Sequence, residues 1–116
     1  MKKTIMGLTQ KVTLFGIDGK KKTILARIDT GASVNSVDVK LAAELKLGPI
    51  TKTKIVKHTH GNNRRPVIEA RIKIAGKEMK SEFTIADREH MTYPVLIGQN
   101  ILKKGFLIDP IKEVKE

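Results

Sequence analysis

Apolar residues in this chain come in short runs, and most of the runs alternate with polar residues at the two-residue period of a strand. Residues 11–17 (KVTLFGI) predict a strand, Asp18-Gly19 a hairpin turn, and residues 22–28 the returning strand. Residues 37–47 carry apolar side chains at helical spacing (Val37, Leu41, Ala42, Leu45), with Ser36 as the predicted N-cap and Gly48-Pro49 as the stop. Residues 51–59 and 66–74 predict two further strands, joined across a turn-rich tip at His60-Gly61-Asn62-Asn63-Arg64. After Ala75-Gly76-Lys77 turns the chain, residues 80–86 return as a strand. The apolar run 93–98 ends in glycine, residues 99–104 allow a short helix, and residues 106–110 give a last strand. Strands dominate, with one or two short helices, so the pattern predicts a mainly β, closed-barrel domain.

The length of 116 residues suits one domain with one core, and we assign residues 1–116 to it. Aromatic residues are only 3%, so Ile, Val, Leu and Ala must build that core. No run approaches the roughly 18 apolar residues of a membrane helix. The N-terminal residues lack the apolar stretch of a secretion signal, and no cysteine is present, so a cytoplasmic protein without thiol chemistry is expected. The net charge of +11 points to acidic partners: acidic polypeptides, nucleic acid or acidic surfaces.

Candidate chemistry concentrates at Asp29-Thr30-Gly31, which ends the strand 22–28. A strand ending there sets a carboxylate on a tight turn. Gly31 lets the backbone fold sharply, and the Thr30 hydroxyl can hydrogen-bond within the turn or to a second copy of it. A simple Asx turn would explain the carboxylate alone. The context argues for more: Ala32-Ser33 and a capped helix follow, and Leu96-Ile97-Gly98 lies downstream.

In this order the motifs resemble the retropepsin-like aspartic proteases. The resemblance spans roughly residues 25–110. It is similar in most detail to the small family labelled "ATP-dependent zinc proteases" through Arg27 to Ala32, Arg64 to Val67, and Asp87 to Gly98. It implies a retropepsin-like (acid protease) closed barrel, one domain per chain, working as a homodimer. Asp29 of each subunit would activate a water, with Thr30 and Gly31 holding the loop and Leu96, Ile97 and Gly98 supporting it. Ala32, Ser33, His60, Arg64 and Arg65 would contact the peptide, the last three from a flap hairpin of about residues 55–75. Asp87 and Arg88 would form a supporting network. Some relatives stand beside a ligase that adds glutamate tails to a ribosomal protein, which implies acidic or glutamate-tailed substrates. The Asp–Arg pair that joins retroviral subunits is replaced here by Ser33 and Gln99.

No cofactor or metal is expected. The chain has no His-Glu-x-x-His helix and no nucleotide-binding Gly-x-x-x-x-Gly-Lys-Ser/Thr loop, and surface positions account for His58, His60 and His90. Two rival readings are a catalytically silent module of the same fold that binds acidic partners, and a basic nucleic-acid-binding protein. The second is disfavoured by the poverty of aromatics and the lack of a nucleic-acid-reading motif.

Overall fold

Strand β2 (Thr9–Phe15) buries Val12 and Leu14 and leaves Thr13 between them only half-buried, and so presents one apolar face. It pairs antiparallel with β3 (Lys21–Ile28) across the Asp18-Gly19 turn, where Gly19 takes φ 89°. On its other edge β2 pairs antiparallel with the C-terminal half of β6 (Gly61–Ile74). That second pairing closes the sheet. The ring runs β2, β3, β8 (Val95–Ile97), β4 (Asn35–Asp38), β7 (Lys77–Ala86), β6 and back to β2. A seventh strand, β5 (Ile50–His58), joins the same sheet through β6 alone. The short strands β1 (Thr4–Met6) and β9 (Phe106–Ile108) form a separate parallel pair. Helices α1 (Val39–Leu45) and α2 (Gln99–Leu102) complete a mainly β, retropepsin-like barrel. The computed structural model describes residues 3–58 and 61–113. Among them no helix is long and apolar enough to cross a membrane.

Alternation fills the barrel. Along β6, Ile68, Ala70, Ile72 and Ile74 are buried while Glu69, Arg71 and Lys73 face outwards. Phe83 of β7 and Ile97 of β8 meet them in a core of branched aliphatic residues. Helix α1 covers one side with Leu41, Ala42 and Leu45. It approaches β2 so closely that a Cβ on Gly16 would overlap the Leu45 carbonyl oxygen.

Two expectations for α1 are corrected. Ser36 is not its N-cap: residues 35–38 are strand β4, buried between β7 and β8, and Asp38 caps the helix instead. The reason is chemical, since the Asp38 carboxylate accepts the Lys40 N–H at 3.1 Å and the Leu41 N–H at 3.4 Å. The helix also stops earlier than Gly48, at Lys46 in the left-handed region (φ 53°), whose N–H returns to helix carbonyls. The predicted tip at residues 60–64 is shorter, because β6 begins at Gly61 and pairs with β5 from there.

Candidate active site

β3 and β4 both neighbour β8, one on each edge. The segment between them, residues 29–34, must therefore arch over the end of β8. Asp29 opens that arch half-buried, and its N–H donates to the Ile97 carbonyl at 2.9 Å. One carboxylate oxygen, Oδ1, accepts the Gly31 N–H at 2.9 Å. The same oxygen would lie 3.3 Å from a Cβ at Gly31, so the turn leaves little room for a side chain there. Thr30 and Gly31 are exposed at the apex, and the Thr30 carbonyl accepts Gln99 Nε2 at 2.8 Å.

The arch rests on Gly98. Its N–H donates to Asn35 Oδ1 at 2.9 Å, and a Cβ at Gly98 would stand 2.8 Å from the Val34 carbonyl and 2.9 Å from the Ala32 oxygen. Only a residue without a side chain lets the chain pass beneath at this distance. Two amides, Asn35 buried and Asn100 half-buried, lock the crossing. Asn35 Nδ2 donates to Ser81 Oγ and the Glu82 carbonyl (3.0 and 2.9 Å), and Asn100 Nδ2 donates to the same two atoms (3.1 and 3.0 Å). The Asn35 N–H in turn donates to Asn100 Oδ1 at 3.2 Å.

A pocket of about 330 Å³ opens beside the arch. Gly31, Ala32, Ser33 and Val34 form its floor, and Lys54, Val56 and Arg65 of the β5–β6 hairpin form its roof. Ser36, Thr84 and Leu96 stand in one register row across β4, β7 and β8 and make a wall. Arg88 completes the wall just beyond β7, only 9% exposed. Its N–H donates to Asp38 Oδ1 at 2.8 Å and its Nε to the Tyr93 carbonyl at 3.0 Å. Burial, then the neighbouring Arg65 charge, pull the Arg88 pKa below the usual guanidinium value, against the attraction of Asp38. At Asp38 burial raises the carboxyl pKa, but the N–H groups of Arg88, Leu41 and Lys40 outweigh it and hold the pKa below the ordinary value.

The sequence-predicted residues divide accordingly. The fold gathers Gly31, Ala32, Ser33, Arg65, Arg88 and Leu96 around the pocket, with Asp29, Ile97 and Gly98 in and beneath the arch. Arg64 lies outside the lining and donates to Thr53 Oγ1 at 2.9 Å. Asp87 is exposed and caps its own turn through the Glu89 N–H at 3.0 Å. His60 lies outside the described residues. Sequence reasoning missed Ser36 and Thr84 as pocket residues, and Asn35 and Asn100 as the lock. Asn35 and Ser36 sit in a four-residue strand without alternation, and Thr84 in β7 and Asn100 in α2 gain their roles only from the elements packed beside them. Among the described residues no three His, Asp or Glu side chains group as metal ligands would.

A barrel closed in this order, with an Asp-Thr-Gly arch over a Leu-Ile-Gly strand, defines the retropepsin-like class. Solved structures agree on the fold. A Legionella pneumophila protein of unknown function (DUF785) matches with TM-score 0.65 at 24% identity, over 94% of each chain. The EIAV protease complexed with the inhibitor HBY-793 matches at TM-score 0.65 and 20% identity, over 84% of this chain and 86% of its own. The simian foamy virus protease matches at TM-score 0.60 and 18% identity, over 82% of this chain and 91% of its own. Curated proteins give no match. Residues 40–115 match the model of the RimB-like family, described as retropepsin-like aspartic endopeptidase RimB, and the chain belongs to that family.

Proposed function

We propose that this protein is a homodimeric aspartic endopeptidase in which Asp29 and its symmetry mate activate a water. The observation that carries this reading is the Asp29 turn. One carboxylate oxygen is fixed by the Gly31 N–H, on an arch anchored by Ile97 and Gly98, at the edge of an open pocket. One chain supplies one such turn, and the chemistry needs two carboxylates, so a two-fold axis passes between two copies. Leu8, exposed beside β3 through its carbonyl's bond to the Ile28 N–H, gives that contact an apolar element.

In the dyad, two adjacent carboxylates hold one proton between them, because like charges at contact distance do not both ionise. The ionised member takes a proton from water as the oxygen attacks the scissile carbonyl, whose oxygen receives the proton of the other member. The tetrahedral intermediate then passes a proton to the amide nitrogen, and the C–N bond breaks to an acid and an amine. The β5–β6 hairpin is the flap: it covers the pocket with Lys54, Val56 and Arg65. Ala32 and Ser33 line the bed on which the peptide lies. The basic roof and the net charge of +11 favour acidic segments, glutamate-rich tails included.

The test compares wild type with Asp29→Asn on glutamate-tailed and generic protein substrates from acidic to neutral pH, with and without chelator. Cleavage by wild type alone, indifferent to chelator, is expected. Cleavage that survives Asp29→Asn and is lost with chelator would overturn the mechanism. Binding of acidic peptides with no cleavage under any condition would make the protein a silent module of this fold.

A further inference from the structure

Arg88 is buried, yet among the described residues no hydrogen bond or ion pair occupies its two terminal nitrogens. Its nearest carboxylate is already committed. Asp38 Oδ1 takes the Arg88 backbone N–H, and Oδ2 takes two N–H groups of α1. A second donor in the same pocket is also idle: Ser36 Oγ is buried and has no hydrogen-bond partner. A buried hydroxyl is normally satisfied, and this one shares its pocket with a guanidinium whose two terminal nitrogens have no partner among the described residues. The charges around it have one sign. Lys54 and Arg65 hang from the roof, Arg27 adds its charge from β3, and among the described residues lining the pocket none is acidic. Asp38 and Asp29 are the carboxylates that act on Arg88 from outside it.

We propose that Arg88 determines specificity: its guanidinium, with the Ser36 hydroxyl in the same pocket, receives the side-chain carboxylate of one acidic residue of a peptide lying along the Asp29 arch. The planar fork of an arginine meets a carboxylate through two parallel N–H bonds, which a lysine or a diffuse positive surface does not reproduce. The pocket floor, Gly31 to Val34, continues directly from Asp29, so the recognised residue sits within a few positions of the bond that is cut. This assignment rests on the peptidase reading for what the pocket holds. It differs from general attraction by the net charge, because it predicts discrimination at one substrate position.

The experiment uses C-terminally amidated eight-residue peptides, identical but for one Glu or Gln moved through the positions. Binding is measured on Asp29→Asn protein and cleavage on protein with Asp29 intact. Glu is expected to be preferred over Gln by about tenfold or more at one position, the range of a hydrogen-bonded charge. Arg88→Met should bring that ratio close to one, Arg88→Lys should give an intermediate value, and Ser36→Ala should lower it partly. K103Q/K104Q, which removes two charges from the end of α2, should leave it unchanged. If Arg88→Met fails to fold by circular dichroism, Ser36→Ala decides: a lowered ratio supports the assignment and an unchanged one overturns it. Equal binding of Glu and Gln at every position, a ratio indifferent to Arg88, or a preference seen only with a free C-terminal carboxylate would overturn it too. The two readings fail separately. Arg88-dependent Glu binding without cleavage removes the peptidase and keeps the pocket, whereas Asp29-dependent cleavage blind to Glu removes the pocket and keeps the peptidase.

Discussion

The side-chain carbonyl of Asn35 accepts the backbone N–H of Gly98 at 2.9 Å, tying the start of β4 to the exact point where the chain passes under the Asp29 arch. The same side chain donates to Ser81 and Glu82 of β7, so one amide joins β4, β7 and the residue that follows β8. Asn35→Leu keeps the approximate volume and orphans the Gly98 N–H. The expected loss is about 3 kcal/mol, the scale of an unsatisfied buried donor plus lost partners, read from the urea unfolding midpoint.

Gly98→Ala tests the crossing itself. The new methyl would meet backbone atoms at 2.8–2.9 Å, and backbone cannot swing aside as a side chain can. Destabilisation of about 2 kcal/mol is expected from overpacking. Cleavage should fall further than stability explains, because the displaced atoms belong to Ala32 and Val34 of the arch. Activity measured well below the variant's own melting temperature separates the two effects.

Asp38 gives the fold a defined acid limb. Its pKa is lowered in the folded protein, so the stabilisation is complete above the ordinary value of 3.8 and is lost as pH falls below it towards the folded value. Asp38→Asn keeps one acceptor oxygen but turns an NH2 group towards N–H donors now held by the other, and should cost about 1–3 kcal/mol at neutral pH. It should also flatten the decline of stability with acid. Unfolding free energies of both proteins from pH 7 to pH 2 give the comparison, and parallel curves would contradict the assignment.

The proposed dimer places Leu8 near the two-fold axis. Leu8 is 54% exposed, so Leu8→Lys should leave the unfolding midpoint of the single chain within about 0.5 kcal/mol, as surface changes do. It should abolish self-association in sedimentation velocity and remove cleavage with it. An active dimer of the variant would move the interface elsewhere.

What could be read from the sequence was whatever depends on neighbours in the chain. The β2–β3 hairpin was legible because Asp18-Gly19 sits between two alternating runs, and β6 because its period is clean over Val67 to Ile74. β4 was not. Its four residues, Asn-Ser-Val-Asp, are all buried between two strands, so no amphipathic alternation survives, and polar residues before an apolar helix imitate a cap. β1 is three residues long and finds its partner β9 at the far end of the chain, a pairing without local signal. At the candidate site, Asp29 and Gly98 stood out because their motif is short and contiguous. Asn35 and Ser36 did not, because their roles arise from register across β4, β7 and β8, nor did Asn100, which reaches β7 from α2. Arg88 was legible as a residue that belongs to a motif. Its idle guanidinium nitrogens required the three-dimensional arrangement.

Strand β6 runs for fourteen residues, and its two halves belong to different mechanical parts. From Val67 onwards β7 holds one edge, and from Arg71 to Ile74 β2 closes the other. From Gly61 to Pro66 only β5 is bonded to it. The ribbon of β5 and early β6 is therefore a cantilever, fixed at Pro66–Val67 and projecting from a hoop whose own ladder it does not share. Lifting it to admit a chain breaks none of the bonds that keep the hoop round. In the proposed peptidase, changes in residues 53–58 and 61–65 would retune access to the site without touching the barrel ladder, and substitutions in the barrel would harden the fold without stiffening the ribbon.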